Sequence, residues 1–349
     1  MRGFPLRKVR GTGVLMRMRY KLSGLLSLVV TLVLVACPVA VKAADPLPSW
    51  KDNGTKDAIM EFVAKVTREG GKDYLPPEQR IATFDNDGTL WAEKPIYFQL
   101  VYAVDKVREM APEHPEWKDQ EPFASILKGD PQKALEGGKP ALMKLMAATH
   151  TGMTGEEFRS SVSEWLETAR HPKTKKRYTE MVYQPMLELL RHLRANGFKT
   201  YIVSGGGIDF LRAFSEETYG IPPEQVVGST LKAGYELRDG TPVLVKQAEV
   251  ALIDDKEGKP VGIYQYIGRR PVFAAGNSDG DLQMLEYTTA GAGPSFGLLL
   301  HHTDSGREWA YDRHSAVGRL DKALKQAPEK GWTVVDMQDD WRVVFPFEK

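Results

Sequence analysis

Asp85 and Asp87 stand two residues apart in the segment Phe84-Asp85-Asn86-Asp87-Gly88-Thr89, directly behind an apolar run. Alternate residues of an extended chain face the same way, so both carboxylates would project together. Carboxylates this close repel one another, which favours a bound cation or a shared proton. Mg²⁺ suits such a place, because it takes a few carboxylate or carbonyl oxygens and keeps waters and substrate phosphate for its other positions. Gly88 permits a tight turn, and the Thr89 hydroxyl can donate to a phosphate oxygen. A second turn, Ser204-Gly205-Gly206-Gly207, offers a hydroxyl and consecutive amides without side chains, the makings of an anion cradle. The third, Gly276-Asn277-Ser278-Asp279-Gly280-Asp281, gathers polar oxygens, and Lys256 or Lys259 ahead of it could neutralise phosphate charge. Taken singly, each has a plain alternative: an Asx turn, a glycine turn or a solvated loop.

All three turns close an apolar strand. Arg80 to Phe84, Lys199 to Val203 and Pro271 to Ala275 read as short buried strands, each followed by a helical pattern. Such alternation predicts an α/β fold, a doubly wound parallel sheet covered on both faces. Ligands of these sheets sit beyond the carboxyl ends of the strands, where the three turns would converge. Residues 92–183 are mostly helical and hold no βαβ unit, so they read as an inserted helical cap. The core is then 44–91 together with 184–349. Within the cap, helices are expected from Tyr97 to Met110 and from Thr154 to Ala169, the second opened by a Thr154-Gly155-Glu156-Glu157 capping box. Other expected helices run from Lys56 to Glu69 and from Gln184 to Asn196, where Gly197 ends the second. Tyr235 to Val245, around Asp239-Gly240, predicts a hairpin, and Phe296 to Leu300 a further strand.

In this order and strand context the motifs resemble those of the haloacid dehalogenase superfamily of phosphohydrolases, in its phosphoserine-phosphatase-like branch. Asp85-Asn86-Asp87-Gly88-Thr89 is similar to the first motif, Asp-x-Asp-Gly-Thr. Ser204 with Gly205 and Gly206 resembles the second, Lys256 or Lys259 the third, and Gly276 to Asp281 the fourth. The resemblance spans roughly Ile81 to Tyr287 and implies a Rossmann-like core carrying a Mg²⁺-dependent phosphomonoester phosphatase. Asp85 would attack phosphorus and form an aspartyl-phosphate. Asp87 would protonate the leaving alcohol and then activate water. Ser204, Thr89 and the lysine would hold the phosphoryl oxygens, with Gly88, Gly205 and Gly206 lining the phosphate. Mg²⁺ would bridge Asp85, the Asp87 carbonyl, Asn277 and Asp281. Lys259 is the expected lysine, since Pro260, Val261 and Ile263 behind it suggest a helix start.

One position departs from the resembled pattern. The fourth motif usually opens on Asp, and Asn277 stands there instead; its amide oxygen can bind Mg²⁺ but brings no charge unless Asp279 or Asp281 compensates. Glu93 reads as a surface glutamate, with a substrate amine as its functional alternative. His301-His302-Thr303-Asp304 looks like a metal cluster, but a structural or solvated role is expected behind the last strand. Asp87 argues against dehalogenase chemistry, and the absence of a Lys-Thr-Gly-Thr continuation argues against an ion-pumping ATPase. The alternatives are a phosphotransferase or phosphomutase sharing the aspartyl-phosphate step, and a catalytically weak exported binding protein. The expected substrate is a small phosphomonoester, with phosphoserine as one candidate.

The chain has 349 residues and a net charge of +1, but Met1 to Ala43 holds eight Lys/Arg and no Asp/Glu, leaving −7 on the rest. An acidic body has no electrostatic reason to hold a nucleic acid. The N-terminus reads as a signal peptide over residues 1–43. Arg17, Arg19 and Lys21 precede an apolar stretch from Leu22 to about Val41, and Val41-Lys42-Ala43 offers small residues for cleavage. Export to the periplasm or the medium is expected, with no membrane span after processing. A retained anchor, or a lipid on Cys37 within Leu34-Val35-Ala36-Cys37, are the alternatives. Cys37 is the only cysteine, so the body uses neither disulfides nor cysteine chemistry.

Overall fold

The structure, a computed structural model, describes residues 44–348; the expected signal peptide and Cys37 lie outside the described residues. β1 (Ile81–Phe84) is buried along its whole length, as a strand covered on both faces must be. It pairs in parallel with β2 (Lys199–Gly207) and β5 (Phe273–Gly276), so that Phe84 lies level with Ile202 and Ala275. With β3 (Val226–Arg238), β4 (Thr241–Leu252), β6 (Phe296–His301) and β7 (Thr333–Asp336), the sheet has seven strands. Their order is β4-β3-β2-β1-β5-β6-β7, and every pairing is parallel except β3 with β4.

Helices flank the sheet. α1 (Gly54–Thr67) precedes β1, and six helices separate β1 from β2. These are α2 (Phe98–Met110), α3 (Phe123–Leu127), α4 (Pro131–Glu136), α5 (Gly138–His150), α6 (Gly155–Thr168) and α7 (Gln184–Ala195). After β2 come the short α8 (Ile208–Arg212) and α9 (Ser215–Tyr219), and α10 (Gly258–Gly262) leads towards β5. α11 (Leu282–Thr289), α12 (Lys322–Lys330) and α13 (Met337–Asp340) complete the chain. The capping box of α6 is formed as its residues dictate. Thr154 Oγ1 accepts from the Glu157 N–H at 3.1 Å and Glu157 Oε2 from the Thr154 N–H at 2.7 Å.

Strand residues alternate between two cores. Phe84, Phe273, Ala275, Leu298 and Leu300 join one, where the Phe273 and Phe296 rings stack at 5.5 Å. Val203, Ala274 and Leu299 join the other, under Leu285 and Trp332. Each Phe, Leu or Val among them, fully buried, contributes about 1.5–3 kcal/mol. A third apolar cluster, with Leu100, Val107, Trp117, Phe123 and Leu145, belongs to α2 through α5 alone. The two ends of the described residues meet across the first core: Trp50 bridges Trp341, their rings edge to face at 5.8 Å.

Three features differ from the sequence expectation. The hairpin is a long arm, because β3 first pairs in parallel with β2 and only then turns at Asp239 and Gly240 (φ 50° and 78°) into β4. β2 runs through the glycines to Gly207. β7, masked in the sequence by its short length, closes the far edge of the sheet. Among the described residues, no helix is long and apolar enough to cross a membrane.

Candidate active site

The carboxyl ends of β1, β2 and β5 bring the three polar turns together. Asp85 follows β1 and donates its N–H to the Ala275 carbonyl of β5 at 2.9 Å. Lys259, at the start of α10 and buried, reaches across with its ammonium to three acceptors. They are Asp85 Oδ1 at 2.7 Å, Asp281 Oδ1 at 2.5 Å and the Val203 carbonyl of β2 at 2.9 Å. One side chain thus ties all three strand ends. Lys256 instead stands exposed at φ 53° and is bonded through its backbone alone, its N–H donating to the Gly280 carbonyl and its carbonyl accepting from the Lys259 N–H.

Charge in this pocket is unbalanced. Burial first, and the Asp281 carboxylate second, push the Asp85 carboxyl well above its usual range, against the opposing Lys259. Burial works against the Lys259 charge, but Asp281 and Asp85 outweigh it and raise the ammonium's proton affinity. Asp87 is half-buried, and loss of solvent pushes its carboxyl up to about 6 despite the Trp91 indole N–H that donates to Oδ1 at 2.8 Å. Its other oxygen lies towards Gly206: a Cβ there would stand 3.7 Å from Asp87 Oδ2 and 3.4 Å from Ser204 Oγ.

Several expected contacts are replaced by others. Thr89, expected on phosphate, is fully buried, and its hydroxyl donates to Asn277 Oδ1 at 3.2 Å. Gly88, at φ 76°, spends its N–H on the Trp91 carbonyl at 2.8 Å, so it shapes the turn without offering that amide. The glycine cradle is partly filled by its own bonds. The Gly206 N–H donates to Ser204 Oγ at 3.1 Å and the Gly207 N–H to Gln99 Oε1, from α2, at 2.7 Å. Asp281, expected on the cation, holds Lys259 with one oxygen; with the other it accepts from the Asn277 N–H, the Ser278 N–H and the Ser278 hydroxyl. Those four bonds make it a brace for the lysine and the turn.

Glu93 overturns the surface reading. It is 1 % exposed, accepts from Asn277 Nδ2 and from the Tyr311 hydroxyl, both at 2.7 Å, and is pushed well above the usual carboxyl range by burial. His302, read as structural or solvated, is buried: its Nε2 donates to the Gly88 carbonyl at 2.8 Å and its Nδ1 lies 3.1 Å from Glu308. Sequence reasoning also passed over Trp91, Gln99 and Tyr311. No local signal marks them, because each acts through a partner that only the fold supplies.

No three His, Cys, Asp or Glu side chains among the described residues converge as a ready-made cation cluster. The groups expected to hold a cation, the Asp85 carboxylate, the Asp87 carbonyl and the Asn277 amide oxygen, are nevertheless all oxygens suited to a hard one. The Asp281 and Asp87 carboxylates both act on Asp85 against the Lys259 ammonium, and this surplus of negative charge favours a further cation. A cleft of about 740 Å³ lies to one side of this centre, between α5, α6 and the β3–β4 arm. Phe158, Arg159, Asp209, Lys246 and Tyr266 line it, and Gly207 links it to the glycine turn.

A model of the haloacid dehalogenase-like hydrolase family matches residues 82–286. No curated protein matches the chain. Among solved structures, a protein of unknown function from Anaerococcus prevotii DSM 20548 is similar at 19% identity and a TM-score of 0.47, over 72% of this chain and 86% of that one. One from Bordetella pertussis Tohama I, also of unknown function, has 16% identity and a TM-score of 0.45, covering 74% and 99%. A phosphoserine phosphohydrolase-like protein from Francisella tularensis subsp. tularensis SCHU S4 has 17% identity and a TM-score of 0.37, covering 63% and 87%.

Proposed function

The chain belongs to the haloacid dehalogenase-like hydrolase family, and on that footing we propose that it is an exported, Mg²⁺-dependent phosphatase of small phosphomonoesters. The observation that carries this is the pair Asp85 and Asp87 at the end of the central strand, with Lys259 joining Asp85 to Asp281. Lys259 occupies Asp85 Oδ1, which leaves Oδ2 as the nucleophile. As that oxygen bonds to phosphorus, the ester P–O bond breaks and Asp87 gives its proton to the departing alkoxide. A carboxyl raised to about 6 can hold that proton near neutral pH and surrender it in the reaction. In the second half Asp87 takes a proton from water, the water oxygen bonds to phosphorus, and the Asp85–phosphorus bond breaks to release inorganic phosphate. The Ser204 hydroxyl, already accepting from Gly206, has its own hydrogen to offer a phosphoryl oxygen.

Mg²⁺ would be held by Asp85, the Asp87 carbonyl and Asn277, and would supply positive charge against the phosphoryl oxygens. The leader over residues 1–43 supports export, and a phosphoserine-like ester is the first candidate substrate. The test is phosphate release from a panel of phosphomonoesters, with and without Mg²⁺, by the wild type and by Asp85→Asn. Release should need Mg²⁺ and fall at least about 10³-fold in the variant, as expected for loss of a covalent nucleophile. Equal release by both proteins would sink the mechanism.

A further inference from the structure

Asn277 is gripped from two sides. Its Nδ2 donates to Glu93 Oε1 at 2.7 Å, an oxygen that also accepts from the Tyr311 hydroxyl, and its Oδ1 accepts from the Thr89 hydroxyl at 3.2 Å. These neighbours settle which end of the amide is which. Glu93 Oε1, as an acceptor, must face the NH₂, and the hydroxyl then donates to the oxygen. A carboxylate in place of the amide would bring two buried carboxylate oxygens about 2.7 Å apart, where both cannot stay charged. The choice of residue at 277 therefore depends chemically on the residue at 93. Both lie against the first-motif turn, since a Cβ on Gly88 would meet Asn277 Nδ2 at 2.0 Å and Glu93 Oε1 at 2.5 Å.

We propose that Glu93 and Asn277 act as one unit in cation binding: Glu93 fixes the amide and supplies the negative charge that a bound cation would draw out of it, and Asn277 presents its oxygen as the ligand. The inference rests on the cation reading given above. It makes Glu93 a positioning residue that acts through Asn277, and it gives this buried glutamate a task that a substrate amine would not explain.

The test is Mg²⁺ affinity, measured by isothermal titration calorimetry on the purified chain without substrate. Glu93→Gln should weaken binding by about 10–100-fold, the usual effect of removing an outer-sphere carboxylate. Asn277→Asp should melt at lower temperature and bind no more tightly, because its new carboxylate faces Glu93. The double variant moves the charge across the same contact and should recover affinity to within about threefold of the wild type, as expected for a strongly coupled pair. A double variant as weak as its weaker parent, or Asn277→Asp binding more tightly with unchanged melting, overturns the proposal. Should Glu93→Gln fail to fold, Tyr311→Phe removes one donor from Glu93; it should weaken binding severalfold, and unchanged affinity overturns the proposal. A wild type that binds no Mg²⁺ removes the cation reading and this unit with it. Wild-type binding without recovery in the double variant overturns the unit alone.

Discussion

Asp87 sits between two opposing influences, loss of solvent that raises its proton affinity and the Trp91 indole N–H that lowers it. Trp91→Phe removes only the second, so Asp87 should keep its proton to higher pH. The general acid works protonated, and its rate falls as pH rises through its pKa. The alkaline limb of kcat/KM should therefore move up in Trp91→Phe, a shift that a mere loss of packing would not produce. At this scale the sequence shows the polar groups that close strands: Asp85, Asp87, Ser204, Lys259 and Asn277 all reach the expected centre or its edge. It does not show which of their bonds are already taken. Thr89 is bound to Asn277 beyond β5, Asp281 to Lys259 of α10 and to its own turn, and Glu93 is buried by Tyr311, 218 residues away.

His150 ends α5 beneath α6, its ring stacked on Phe158 at 4.2 Å. Burial, reinforced by the Lys246 ammonium, pushes its imidazole down from 6.5 to about 3. The unfolded chain binds this proton at higher pH than the folded one, so stability is whole above about 6.5 and declines as pH falls towards 3. His150→Phe should flatten that acid limb of the melting temperature, measured from pH 7 to pH 4. The wild type and the variant would melt in parallel if His150 were solvated. The element that holds His150 against the arm was only half legible. Thr154 with Glu157 announces the start of α6, and Asp239-Gly240 announces a turn. The inner end of β3 is written in only Val226, Val227, Gly228 and Ser229 before it leaves β2, too short a run to separate from a loop.

Across the whole molecule, the family match ends at residue 286, yet the first core continues to Phe345. Val335, Met337, Trp341, Val344 and Phe345 are all buried there. At roughly 2 kcal/mol each, their loss is comparable to the whole stability of an ordinary domain. A chain cut after Leu300 should therefore fail to give dispersed, native-like NMR spectra, although every motif residue is still present. A well-folded fragment would show that the tail is dispensable. The alternation of strands and helices made the parallel sheet legible, because buried strands advertise themselves as apolar runs. The contribution of the tail was not, since Trp341 and Phe345 lie in no periodic pattern. His302 adds a matter of timing. Polypeptides emerge N-terminus first, and this imidazole, which holds the Gly88 carbonyl, follows it by 214 residues. A growing chain thus displays Asp85 and Asp87 long before the turn that carries them is clamped, and the reactive loop takes its final shape only after His302 has emerged.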